Sequence, residues 1–82
     1  MNYYLLVYDR KRAEILNKEE FGPRERRRAS AERLRRMIEF RERPEVEVVL
    51  FGANTYEDLV KTHSRYFKTP NEILAGIDTV KR

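Results

Sequence analysis

The sequence predicts an α+β fold with the element order ββαβα, on three observations. Three short apolar runs are rich in β-branched and aromatic residues, as strands are. A long segment of strong helix formers separates the second run from the third, and a second helical pattern follows the third run. We therefore expect a three-stranded antiparallel or mixed sheet in the order 2-1-3, with two helices packed on one face.

The strands differ in their apolar patterns. Residues 3–8 are apolar throughout, which is typical of a strand covered on both faces, and residues 13–18 alternate like a half-exposed strand. These two runs, joined by the polar residues 9–12, predict a hairpin. The β-branched run 46–51 predicts the third strand. A right-handed crossover would bring this strand to the free edge of the first.

The first predicted helix follows Gly22, has Pro23 in its first turn, extends to about Glu42 and is stopped by Pro44. Its apolar residues recur at three- and four-residue spacing, and we predict that this stripe faces the core. The stripe consists of Ser30, Ala31, Leu34, Met37 and Ile38.

The second helix is predicted over residues 55–67, with Asn54 or Thr55 as its N-cap. Its apolar stripe consists of Tyr56, Leu59, Val60, His63, Tyr66 and Phe67. Residues 71–77 read as a short third helix or as an extended arm.

Length and composition bound the organisation of the chain. Its 82 residues predict a single domain, with an ordered core at about 2–68 and a C-terminal arm at 69–82. The absence of cysteine excludes disulfides and thiolate zinc sites. The apolar run near the N-terminus is shorter than a signal-peptide core or a membrane span. We expect a soluble, cytoplasmic protein without membrane contact.

Basic charge is concentrated in the first helix. Residues 23–43 contain nine arginines and four glutamates, whereas the net charge of the whole chain is +4. Clustered arginine is typical of surfaces that bind nucleic acid or an acidic protein. Glutamates four residues from several arginines also allow a solvated face of ion pairs. Arg24, Arg26 and Arg33 lie outside these ladders, and Phe40 lies off the apolar stripe, so these four residues are the nucleic-acid candidates.

His63 is the only histidine, and it falls within the apolar stripe of the second predicted helix. Ser64 points about 100° away on such a helix, which excludes a Ser-His nucleophilic pair. A lone histidine in a stripe of this kind is typical of a core residue. The alternative is a small-ligand or enzymatic site formed with Tyr56, Tyr66 and Arg65.

No recognisable spacing of catalytic residues, metal ligands or phosphate-binding glycines occurs, so we expect no enzyme, cofactor or metal. With both helices on one face, apolar side chains of the first strand would remain uncovered. We therefore predict a non-enzymatic binding domain that acts as a homodimer, through the open sheet face or the C-terminal arm. The alternatives are nucleic-acid binding through residues 23–43 and a site around His63.

Overall fold

The computed structural model describes residues 1–67, which form a three-stranded sheet and three helices. In chain order the elements are β1 (Asn2–Asp9), β2 (Glu14–Phe21), α1 (Arg26–Glu39), β3 (Val46–Ala53), α2 (Tyr56–Thr62) and a 3-10 helix (Ser64–Tyr66). β1 pairs antiparallel with β2 along one edge and with β3 along the other. The predicted α+β class and strand order are confirmed.

β1 is the centre of the structure because apolar side chains cover both of its faces. Tyr4 and every residue after it in the strand are buried. Leu5 packs on one face with Phe21 of β2, and Leu6 packs on the other with Tyr8 and Tyr66. The uninterrupted apolar run of β1 is therefore divided between two core layers, as its pattern predicted.

α1 and the 3-10 helix pack into different core clusters of the sheet. Ala29 of α1 belongs to the cluster around Leu5, whereas Tyr66 of the 3-10 helix belongs to the cluster around Leu6. Consecutive strand residues point to opposite faces, so these clusters lie on different sides of β1. Within residues 1–67, both faces of β1 contribute side chains to a core cluster, and the dimer through an open sheet face stays a prediction. The predicted C-terminal arm, 69–82, lies outside the described residues.

The side of α1 that meets the sheet is not the apolar stripe. Ala29 is the only buried residue of this helix, whereas Leu34, Met37 and Ile38 are 58%, 43% and 52% exposed. Arg36 lies nearer the sheet, with an Nη2 that is 3.9 Å from Oε1 of Glu19 in β2. The prediction that the stripe faces the core is wrong, because periodicity shows which residues share a side but not which side meets the sheet.

The connection between β1 and β2 is a tight turn closed by one carboxylate. Oδ1 of Asp9 accepts hydrogen bonds from the backbone N–H groups of Lys11 and Arg12 at 2.9 and 3.0 Å. Ala13, at the end of this turn, has a φ of 53°, in the left-handed region that glycine adopts more readily. Asp9 therefore supplies the turn chemistry that an Asn-Gly pair supplies in many hairpins.

The last helices are shorter than their pattern predicted. Oγ1 of Thr55 accepts a hydrogen bond from the N–H of Asp58 at 3.1 Å, which makes Thr55 the N-cap of α2. α2 ends at Thr62 and His63 adopts a non-helical conformation before the 3-10 turn. Within residues 1–67, no helix has the length and apolar character needed to cross a membrane.

Candidate functional site

Four exposed apolar residues form a line along the solvent side of α1, which we call the outer row. They recur at three- and four-residue spacing, so they share one side of the helix. The opposite side of α1 carries Ala29 and faces the sheet. The outer row consists of Ala31, Leu34, Met37 and Ile38.

Arginines surround the outer row, and many of them have no acidic partner. Arg28 pairs with Glu25, and Arg35 pairs with Glu32. The hydrogen bond from Arg35 holds the pKa of Glu32 below its usual value. Within residues 1–67, the arginines of this segment that take part in no ion pair are Arg24, Arg26, Arg27, Arg33 and Arg41.

The row has an arginine at each end. Arg27 lies on α1 seven residues before Leu34, in line with the row, and Arg41 follows the end of the helix, where it lies beside Met37. Two further unpaired arginines, Arg26 and Arg33, lie one heptad apart along one flank. The exposed side of α1 is therefore an apolar line enclosed by positive charge.

A shallow groove of about 220 Å³ adjoins the end of the row. Met37 belongs to both features, and Phe40 and Arg41 from the end of the helical segment line the groove opposite Pro44 and Val48. The ring of Phe40 is half-buried, and the guanidinium of Arg43 lies 5.7 Å from its centre. Apolar surface thus continues from the row towards the start of β3.

The nucleic-acid candidates are only partly brought together. Arg26 and Arg33 are exposed on one flank of α1, and Arg24 is exposed in the turn that precedes it. Phe40, predicted to be free to stack on a base, is half-buried against the groove beside Arg43. The flank therefore offers cations without a free aromatic side chain among these four residues.

His63 follows the last residue of α2, and its side chain is partly buried and partly accessible to solvent. Its half-buried ring stacks on Phe51 with centroids 4.0 Å apart. Nδ1 lies 2.9 Å from Oγ1 of Thr62, so the hydrogen-bond neighbour of the ring is Thr62 and not Ser64. Both contacts are those of a residue that completes a packed layer.

Arg65 and Tyr66 form a second group on the same face of the sheet, and the Tyr66 ring also packs against Phe51, with centroids 5.6 Å apart. Nη2 of Arg65 donates a hydrogen bond to Tyr66 Oη at 2.7 Å and contacts the Glu47 carboxylate at 3.3 Å. The Tyr66 ring makes an edge contact with Tyr8 at 4.9 Å. Burial raises the pKa of both tyrosines above the ordinary value. Both hydroxyl groups therefore stay protonated at neutral pH.

Tyr56, the fourth residue predicted for this site, belongs to a third group. Its hydroxyl lies 3.1 Å from Nζ of Lys18, and its ring packs against Tyr4 with centroids 5.9 Å apart. These side chains and Glu20 line a shallow groove of about 320 Å³. Tyr56 thus has other neighbours than Arg65, whereas the rings of His63 and Tyr66 both pack against Phe51.

Within residues 1–67, no three His, Asp or Glu side chains lie close enough together to hold a metal ion. Comparison with protein-family models, with curated proteins and with solved structures finds no match for this chain. Function must therefore be inferred from the geometry and charge of the chain itself.

The outer row was missed as a surface because an apolar stripe is ordinarily taken to face the core. One signal in the sequence pointed the other way. Arg27 and Arg41 extend the line of the stripe at both ends, whereas Ala29, on the opposite side, is small enough for close packing on a sheet. A stripe bounded by arginines on its own line is better suited to a surface than to a core.

Proposed function

We propose that this protein is a non-enzymatic interaction domain that binds another protein through the outer row of α1. The exposure of Leu34, Met37 and Ile38 carries this proposal. Covering apolar surface is worth about 25 cal/mol per Å², so three large side chains on one line make a favourable contact area. Contiguous exposed apolar patches on small domains are typical of protein-binding sites.

The position of the row among the arginines favours a protein partner. Phosphate backbones are bound best by continuous basic surface, because each contact replaces a counterion. Here Leu34 and its apolar neighbours separate Arg33 on one flank from Arg35 on the other. A protein surface with apolar side chains at its centre and charge at its edge matches this order of groups.

The row can be tested as a surface with a Leu34→Glu/Ile38→Glu variant, which we call the row variant. Its free energy of unfolding in urea should stay within about 0.5 kcal/mol of wild type, since exposed positions tolerate substitution. The control Leu6→Ala, in the core, should lose about 2–5 kcal/mol. Wild type should also bind the dye ANS more strongly than the row variant does.

Two outcomes would contradict the proposal. A row variant destabilised as much as Leu6→Ala would mean that these side chains are packed inside the molecule. Equal ANS binding by wild type and row variant would mean that the row is not an accessible apolar surface.

Nucleic-acid binding is a second candidate, favoured by Arg26 and Arg33, which share one flank without acidic partners in residues 1–67. Replacing both with alanine should then weaken binding to duplex DNA and reduce its dependence on salt concentration. An unchanged salt dependence in the double variant would remove this candidate.

A further inference from the structure

We infer that the partner of the outer row is an acidic amphipathic helix. This inference rests on the proposed function and extends it by naming the chemistry of the partner. Three features carry it: the spacing of the row, the unpaired arginines at its ends and flank, and the groove that adjoins it.

The spacing of the row is that of a helix-packing seam. Steps of three and four residues connect Ala31, Leu34 and Ile38, and a step of three residues connects Leu34 to Met37. Residues in this relation accept the side chains of a second helix between them. α1 has 14 residues and is about 21 Å long, which matches four turns of a partner helix.

The arginines specify the charge of that helix. Docking on the row would cover Arg27 on α1 and Arg41 just beyond its end, and neither makes an ion pair within residues 1–67. A charge that is covered without a partner is costly, so the docked helix must offer carboxylates at both ends. Arg26 and Arg33 would meet further carboxylates along one edge, and arginine binds carboxylates with two parallel hydrogen bonds.

The groove gives the docked helix a defined end. Met37 connects the row to the half-buried ring of Phe40 and to Pro44. One apolar side chain from the last turn of the partner fits between them, next to Arg41. The partner is therefore a helix with apolar residues at three- and four-residue spacing, glutamate or aspartate at its edges and an apolar residue near one end.

A second copy of the same helix fits the row less well. An antiparallel pair would place Arg27 of one copy beside Arg41 of the other, and a parallel pair would place each arginine beside its own counterpart. Residues 23–43 carry nine arginines against four glutamates, so two such segments repel each other. Charge thus favours an acidic partner over self-association.

Designed peptides test this directly. The first probe is a peptide of about 18 residues, or five turns, with leucines at the seam positions and glutamates at the edges. The second replaces every glutamate with lysine, and the third scrambles the order of the first. Binding to the full chain is measured by fluorescence anisotropy, with short duplex DNA as a fourth probe. We expect the glutamate peptide to bind at least about tenfold more tightly than each other probe.

Charge reversal identifies the contacts. An Arg27→Glu/Arg41→Glu variant should lose affinity for the glutamate peptide by about tenfold or more and gain affinity for the lysine peptide. The matched control is Lys61→Glu, the same change of sign on α2, which carries no residue of the outer row. This control should leave both affinities unchanged.

The contrary outcomes separate the inference from the proposed function. If glutamate and lysine peptides bind equally and both are lost in the row variant, the row binds helices but the acidic partner is refuted. If duplex DNA binds more tightly than the glutamate peptide, a protein partner is refuted. A dimer in sedimentation at micromolar concentration that dissociates in the row variant assigns the row to a second copy and overturns the inference. Equal binding of the scrambled peptide refutes the helical fit.

Discussion

Asp9 and Arg43 form an ion pair in which Nη2 of Arg43 lies 3.3 Å from Oδ2 of Asp9. Asp9 is only 1% exposed, and its other carboxylate oxygen closes the turn after β1. The guanidinium of Arg10 donates a hydrogen bond to the carbonyl of Pro44 at 2.6 Å. The turn between β1 and β2 is therefore attached to the segment that leads from α1 into β3.

The Asp9 carboxylate should be worth more to stability than its arginine. Asp9→Ala should lose about 2–3 kcal/mol of unfolding free energy, because two backbone N–H groups lose their acceptor and Arg43 loses the carboxylate of its ion pair. Arg43→Ala should lose about 1 kcal/mol, since the arginine side chain is half-exposed and screened by water. Urea unfolding of both variants measures the difference. Equal losses would show that the turn hydrogen bonds contribute little.

Glycine should have opposite effects at two alanines. Ala13→Gly should raise the unfolding free energy by about 0.5–1 kcal/mol, because Ala13 has a φ of 53° that an L-residue adopts with strain. Ala31→Gly, on the exposed side of α1, should lower it by about 1 kcal/mol. Thermal and urea unfolding of the pair measure the sign. A loss at both positions would mean that the turn relaxes without strain.

Alkaline pH should destabilise the fold through Tyr8 and Tyr66. Burial raises the pKa of each hydroxyl above the value in the unfolded chain, so the folded state holds protons that the unfolded state releases. Their contribution is complete below about pH 10 and is lost as pH rises through the folded pKa values.

Unfolding in urea at several pH values tests this dependence. Tyr66→Phe should be less stable than wild type near neutral pH, because it lacks the hydrogen bond from Arg65. The stability of this variant should also fall less steeply at alkaline pH, because it lacks one of the two hydroxyl groups whose pKa is raised by burial. Identical slopes for the two proteins would contradict the assignment.

Arg36 should contribute to the stability of the fold only because carboxylates surround it. Its side chain is 17% exposed and lies within 4.0 Å of oxygens of Glu19, Glu32 and Glu39. Arg36→Met should lose about 1–2 kcal/mol, since these carboxylates lose their common cation. Arg36→Met/Glu32→Met should recover most of that loss in equilibrium unfolding, because apolar contacts replace a partly buried ion pair. No recovery would show that Glu19 and Glu39 alone require the cation.

The sheet was predictable because strand patterns carry information about both faces. The apolar run of β1 identified a central strand, and the crossover rule placed β3 at its free edge, antiparallel to it. The N-cap at Thr55 was also predictable, since its hydroxyl has a defined acceptor role at a helix start.

The orientation of α1 was not predictable from its periodicity. An apolar stripe normally faces a core, but here Tyr3, Phe21 and Leu5 already fill the sheet surface beside Ala29. Little apolar area on α1 is needed to complete that layer, and charged residues such as Arg36 occupy the rest of the contact. Whether the apolar stripe or Ala29 packs against the sheet depends on how much space the side chains of the strands leave for α1.

The group around His63 was predicted on the assumption of one continuous helix. α2 ends at Thr62, so His63 and Tyr66 have different local backbone conformations, although both rings pack against Phe51. Helix ends depend on weak local balances, and a single turn of difference redirects every side chain beyond it. The sequence identified the aromatic residues of this face but not their grouping.

The pairing of β1 with β3 also sets the order in which the chain can fold. β1 is joined to β2 by a short turn. Its other edge pairs with β3, which comes after the whole of α1 in the chain, so that Asn2 lies opposite Ala53. During synthesis, the N-terminal hairpin therefore leaves the ribosome before either apolar face has its cover. We expect the closing of that long connection to slow folding, and early formation of α1 to shorten the distance that the chain must search.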